Sequence, residues 1–167
     1  MTAETWTAGR VMSRVLVAVK PGESPLMAWE LMRRAGVHHL PVVEGRRVLG
    51  VLSREELAAS WSGGPQEQSA RHVRDLLRRV RTARVRPETP LPQVAAVMLD
   101  ADVDAVPVVS GEGLIGLITA RDVLAAVAGR LSPARESGEV LTGMFHLEPV
   151  LPVRTEPDSP ARSWREA

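Results

Sequence analysis

The chain has no cysteine among its 167 residues, which excludes disulfides, thiolate metal sites and cysteine nucleophiles. Aromatics are scarce, with four Trp, one Phe and no Tyr. Base-stacking platforms for single-stranded nucleic acid need several surface aromatics, so that class is disfavoured. No sign of charge dominates: 21 Lys and Arg against 20 Asp and Glu leave a net charge of +1. Such a chain has no long-range field to draw in nucleic acid or a membrane surface. Long apolar runs are also lacking. The longest, such as Leu114–Ala120, fall far short of a membrane span. The opening MTAETWTAGR has neither the basic start nor the apolar run of a signal peptide. The expectation is a cytoplasmic protein with no nucleic-acid and no membrane partner. An apolar fraction of 44% and a charged fraction of 25% are ordinary for a folded domain of this length.

What the chain does contain is an internal repeat. Adding 66 to the residue number maps Pro21–Ser53 onto Pro87–Thr119 without a gap, and nine of these 33 positions are identical. They are Pro21/Pro87, Met32/Met98, Ala35/Ala101, Val37/Val103, Pro41/Pro107, Val42/Val108, Val43/Val109, Gly45/Gly111 and Gly50/Gly116. Self-similarity at a fixed offset marks two copies of one supersecondary unit.

Each copy predicts the order β-α-β-β-α. An alternating strand opens it, Val15–Val19 in the first copy and Ala83–Val85 in the second. A helix follows, with apolar residues at Ala28, Leu31, Met32 and Ala35, repeated at Val94, Val97, Met98 and Ala101. Pro25 and Pro92 suit helix starts, and Gly36 suits a helix end. The strands HLPVVE and AVPVVS lead through turns at Gly45 and Gly111 into VLGVL and LIGLI. A closing helix then begins at Ser53 or Thr119. One unit alone is marginal in size, so two copies facing each other as a pseudo-two-fold module are expected. The fold class is therefore mixed α/β (α+β), with an irregular tail. The expected organisation is an N-terminal extension 1–9, repeat 1 over 10–61, a polar linker 62–72, repeat 2 over 73–129 and a C-terminal extension 130–167. Val140–Phe145 and Val150–Val153 read as short extended pieces, and Arg154–Ala167 as a mobile tail.

Three features recur in order in both copies: an apolar strand with Pro-Val-Val, a Gly eight or nine residues on, and a G-h-h-[ST]-x-x-[DE] junction into the last helix. In these features the chain resembles a pair of CBS domains, also called a Bateman module, over about residues 10–128. Copy two matches fully as Gly116-Leu-Ile-Thr119-Ala-Arg-Asp122. Copy one, Gly50-Val-Leu-Ser53-Arg-Glu-Glu56, has Glu where the family has a ribose-binding Asp. The resemblance implies a regulatory module that requires no cofactor. It binds AMP, ADP, ATP or S-adenosylmethionine between its repeats, forms a homodimeric disc and controls a partner protein. The alternatives are a ligand-free dimeric scaffold and, more remotely, a nucleotide-processing enzyme. No Ser-His-Asp constellation, Walker loop, metal-ligand cluster or G-x-G-x-x-G supports the enzyme, so no catalytic residue is assigned.

By that resemblance each cleft takes its hydroxyl–acid junction from one repeat and a turn before Pro from the other. The first cleft would then use Thr119, Asp122, Gly116, Leu117 and Ile118 with Val37, His38, His39, Pro41 and Val19. The second would use Ser53 and Glu56 with Asp104, Pro107 and Val85, and its longer acid and extra carboxylate predict weaker phosphate binding. Both junctions also read as capping boxes, which is a purely structural role. His38 and His39 are neighbours on a strand and point to opposite faces, so they cannot chelate one metal together, and no metal is expected. The basic run from Arg71 to Arg86 reads as a solvated helix and strand edge, and Met27, Met32 and Met98 as core. Trp29 reads as packed within a helix–helix seam.

Overall fold

The computed structural model describes residues 6–77, 83–111 and 113–131, together with the backbone of a strand at 139–142. A short helix α1 (Ala8–Val11) leads into repeat 1: β1 (Val15–Ala18), α2 (Pro25–Ala35), β2 (His39–Glu44), β3 (Arg47–Ser53) and α3 (Arg54–Ala59). A helix α4 (Pro65–Ala70) follows. Repeat 2 contains α5 (Leu91–Ala101), β4 (Ala105–Ser110), β5 (Gly113–Thr119) and α6 (Ala120–Val127), and β6 (Glu139–Thr142) comes last. The expected order is present in both copies. In the second, the opening strand is a single parallel bridge, Val85 to Val108, among the described residues.

The helices begin and end where local chemistry directs. Ser24 caps α2 by accepting the Met27 N–H at 3.2 Å, and a proline occupies the first turn of both α2 and α5. Gly36 closes α2 in the left-handed region at φ 65°. The equivalent cap of α5 is Asp102, at φ 51°, a short polar side chain that tolerates this conformation. Each hairpin places a glycine opposite the valine that follows the strand's proline, Val42 with Gly50 and Val108 with Gly116, and each carries an irregularity one residue on. At Gly116 the reason is packing: an added Cβ would fall 2.2 Å from Met12 Sδ.

The segment ahead of each repeat docks on the other repeat. Ala8 N–H and Gly9 N–H donate to the carbonyls of Thr89 and Pro87. Val73 N–H and Arg74 N–H donate to the carbonyls of Glu23 and Pro21, the same two positions of repeat 1. The side chains follow the backbone. Ala8, Val11 and Met12 complete the repeat 2 core with Val94, Met98 and Ile118. Val73 is fully buried in the repeat 1 core with Met32, Leu40, Leu52 and Leu57. Two smaller clusters join the halves: Ala18, Val43 and Val48 with Val109, and Leu16 with Ala105 and Leu117.

The polar linker contains a helix that the sequence pattern did not predict, α4, which forms behind Pro65. Polar composition hid this because the anchoring side chain is itself polar: Gln68 is fully buried and its Nε2 donates to the Ser62 carbonyl. Of the extended piece expected over Val140–Phe145, residues 140–142 lie in β6, which pairs in parallel with β1, Leu141 opposite Val17, and residues 143–145 lie outside the described residues. Val150–Val153 and Arg154–Ala167 lie outside the described residues.

Both closing helices start in complete capping boxes. Ser53 Oγ accepts the Glu56 N–H at 3.0 Å, while Glu56 Oε2 accepts the Ser53 N–H at 3.0 Å. In repeat 2, Thr119 Oγ1 accepts the Asp122 N–H at 3.3 Å, and Asp122 Oδ2 accepts the Thr119 N–H at 2.8 Å. The Thr119 hydroxyl also donates to Asp122 Oδ2 at 2.8 Å.

Two stability outcomes follow from this packing. Val73→Ala removes two buried methyl groups from the core of the other repeat and should cost about 2 kcal/mol, read as an earlier single urea transition of the whole module. A separate early transition of repeat 2 alone would contradict the exchange. Ser53→Ala and Thr119→Ala should each cost about 1 kcal/mol through the lost caps, measured in the same titration.

Candidate functional site

The first helical N–H of α3 donates to the His38 carbonyl, and that of α6 to the Asp104 carbonyl, each at 2.8 Å. Each hydroxyl–acid junction is thereby tied to the turn of its own repeat. The β-ladders set His39 opposite Ser53 and Ala105 opposite Thr119. The pseudo-two-fold then brings the turn of repeat 2 to the junction of repeat 1.

A cleft of about 610 Å³ opens there. Ser53, Glu55 and Glu56 line it from repeat 1, and Val103, Asp104, Ala105 and Pro107 from repeat 2. Gly50, Val51, Ala83 and Met98 supply small and apolar wall. The structure thus brings together Ser53, Glu56, Asp104 and Pro107, as expected for the second cleft. Val85 is absent from the lining and sits in the repeat 2 core, because its parallel bridge to Val108 turns it inward.

The residues expected in the first cleft do not line this one, His39 excepted. Thr119 and Asp122 face each other across the α6 cap, half-buried. Gly116, Leu117 and Ile118 lie on β5, with Ile118 fully buried. Val19 is likewise fully buried, paired with Val42. Val37 lies just before β2, Pro41 is buried within it, and His38 is exposed. His39 turns to the opposite junction: its Nε2 bonds Asp104 Oδ1 at 2.8 Å, across the repeats and at the edge of the open cleft. The two imidazoles lie apart, His38 exposed and His39 bonded to Asp104, and the crossing of the repeats decides which of them reaches this cleft.

Three acidic positions in the cleft were not anticipated. Glu55, Asp100 and Asp102 join Glu56 and Asp104, so five carboxylates and one imidazole line it. Asp102 had a readable signal: it replaces Gly36 at the equivalent helix end and must point away from the helix axis. The basic run divides. Arg71 donates to the Ser60 carbonyl at 2.7 Å, while Arg74, Arg84 and Arg86 are exposed; Arg78, Arg79 and Arg81 lie outside the described residues. Arg54, next to Ser53, stacks over Trp29 at 5.5 Å, and Trp29 meets Trp61 at 6.0 Å. This is the helix-seam packing expected of Trp29. Met32 and Met98 are buried in the core, and Met27 is half-buried. Among the described residues no group of three or more His, Asp or Glu is placed to hold a metal ion, and no helix is long and apolar enough to cross a membrane.

Known proteins share this architecture. The chain is 30% identical over 131 residues to an inosine-5'-monophosphate dehydrogenase of Korarchaeum cryptofilum, a match covering 78% of this chain but 26% of that protein. The chain thus spans about a quarter of that relative. The structure of CBSX2 in complex with AMP is similar at TM-score 0.62 and 27% identity, covering 74% of this chain and 97% of that one. The CBS domain pair of MJ0100, in complex with 5'-methylthioadenosine and S-adenosyl-L-methionine, has TM-score 0.64 at 19% identity, covering 75% and 98%. At that identity only the fold is shared. The family model of the CBS domain matches residues 8–63 and 73–129, the two structural repeats with their exchanged segments, and the chain belongs to the CBS-domain family.

Proposed function

We propose that this chain is a regulatory CBS pair that binds an adenosine-containing small molecule between its repeats and passes its occupancy to a partner protein. The observation that carries the reading is the inter-repeat cleft. Its volume of about 610 Å³ lies within the usual range for small-molecule sites, and its lining sets apolar wall beside five carboxylates and one imidazole. Gly50, Val51, Ala105 and Pro107 offer flat apolar surface to a purine. Ser53 and Glu56 supply a hydroxyl and a carboxylate for ribose hydroxyls. Both are engaged in the α3 cap, so binding exchanges a local bond for one to ligand. The ligands of CBSX2 and MJ0100 support the adenosine class.

The site proposed here reverses the order expected from the junction residues alone. Thr119 and Asp122 match the family motif more fully, yet the cleft of about 610 Å³ described above is lined by Ser53 and Glu56. We therefore assign the principal ligand position to Ser53 and Glu56, and a second position to Thr119 and Asp122. No catalytic group is assigned: Ser53 and Glu56, the hydroxyl and acid in the cleft, serve the α3 capping box. The module acts in the cytoplasm as a homodimer. A ligand-free scaffold is the second reading, favoured by the closed state of both caps.

A thermal-shift panel separates these readings. AMP, ADP, ATP or S-adenosylmethionine should raise Tm in proportion to its affinity, since a ligand specific for the fold stabilises it. Glu56→Gln should weaken that ligand about tenfold, equivalent to about 1.4 kcal/mol, and Asp122→Ala should do less. If no ligand of the panel shifts Tm, the scaffold reading stands. The reverse ranking of the two variants would move the principal site to Thr119.

A further inference from the structure

We propose that β6 closes the second ligand position in cis. It pairs along the stretch of β1 that walls this position, so a ligand at Thr119 and Asp122 must displace the strand. The inference rests on the reading of the clefts as ligand sites and adds how one of them is regulated.

The stretch in question runs beside the junction of repeat 2. Ser13, just ahead of β1, exchanges both backbone bonds with Leu117 of β5. Leu117 stands two residues before Thr119 on the same strand. Leu16 packs with Leu117 and Ala105, and Ala105 is the residue opposite Thr119 in the hairpin. Val19, just after β1, pairs with Val42 of β2. The middle of β1 therefore bridges the two repeats next to the Thr119 hydroxyl and the Asp122 acid.

The internal offset shows what the equivalent stretch does in the other cleft. Adding 66 carries Val17 to Ala83 and Val19 to Val85. Val85 pairs with Val108 as Val19 pairs with Val42, so the correspondence holds in space. Ala83 lines the cleft of about 610 Å³, and among the described residues it has no strand partner. Its twin Val17 stands opposite Leu141, in a parallel ladder that runs from Val15 with Glu139 to Ala18 with Thr142. One copy of this wall is open, and the other is covered by backbone. The junction with the fuller motif is the one behind β6.

The strand is built to detach. Its ladder is four residues long and parallel, with no further strand on its outer side among the described residues. Parallel pairs are slightly weaker per residue, and short edge segments open at a small part of the global stability. β6 also lies beyond residue 129, where the second family match ends, so its release leaves the elements of both repeats in place. A ligand for the covered position binds with an apparent affinity reduced by the fraction of time that β6 is open.

The absence of cysteine gives a ligand-free test. Val17→Cys and Ala83→Cys each place a single thiol at equivalent positions of the full chain. The thiol at 17 should react with a maleimide dye at least about fivefold more slowly than the thiol at 83, a comparison that needs no further change. Adding Val140→Pro and Leu141→Pro removes the ladder N–H that faces β1, because neighbouring residues of a strand point to opposite edges. That pair should raise the rate at 17 at least about fivefold and leave the rate at 83 unchanged, with the folded circular dichroism spectrum retained. AMP and S-adenosylmethionine are then titrated by calorimetry. At least one should bind the proline variant at a second position about tenfold more tightly than in the native chain, and Asp122→Ala should remove the gain. Equal labelling of the two thiols in the native chain would overturn the proposal. So would a proline variant that binds at Glu56 with no second event. Both results leave the ligand reading intact. Labelling as expected, with neither compound bound by native chain or variant, would uphold the closure by β6 and overturn the ligand reading.

Discussion

Neither repeat can close its own core, and the rest of the structure follows from that. The sheet of one unit is too small to bury enough apolar surface alone. The chain answers with exchange: Ala8, Val11 and Met12 fill repeat 2, and Val73 fills repeat 1. The four backbone bonds that guide the exchange end on equivalent carbonyls, Pro21 and Glu23 in one half and Pro87 and Thr89 in the other. Covalent crossing of this kind makes the two repeats one cooperative body. It also fixes their relative orientation, and so creates the clefts between them.

The site inherits both its opportunity and its tension from this arrangement. A strand-to-helix junction leaves N–H groups without partners, and a Ser or Thr with an acid three residues on satisfies them. The same hydroxyl and acid are what a nucleoside would use. In the structure they are spent on the helix, so the proposed ligand binding would exchange partners at one cap. The effect of occupancy would then be felt first at the start of α3 and, through the Arg54 N–H, at the turn of His38. The His39–Asp104 bond ties that turn to the other repeat. This gives a short physical route from cleft to inter-repeat geometry.

The two halves have diverged on their surfaces more than in their cores. Met32 and Met98, Val42 and Val108, and Gly50 and Gly116 stay matched because each must fit the same packed environment. Arg34 and Asp100, or Ala58 and Leu124, differ freely within the fold because each faces solvent. Surface asymmetry in a symmetric frame is the feature that can distinguish one cleft from the other and one partner face from the other.

The amino-acid sequence by itself determined the repeat, the β-α-β-β-α order and the helix caps at Gly36, Ser53 and Thr119. These are legible because they depend on contacts within a few residues or on an exact internal offset. It did not foresee α4, the burial of Val19 and Val85 or the turn of His39 toward Asp104. Each of these depends on how the halves cross. Burial of Val19 needs its neighbour Val42, α4 needs a seat for Gln68, and cleft volume depends on which segments pass beside it. Only tertiary structure decided those, because contact between distant residues has no signature in local pattern.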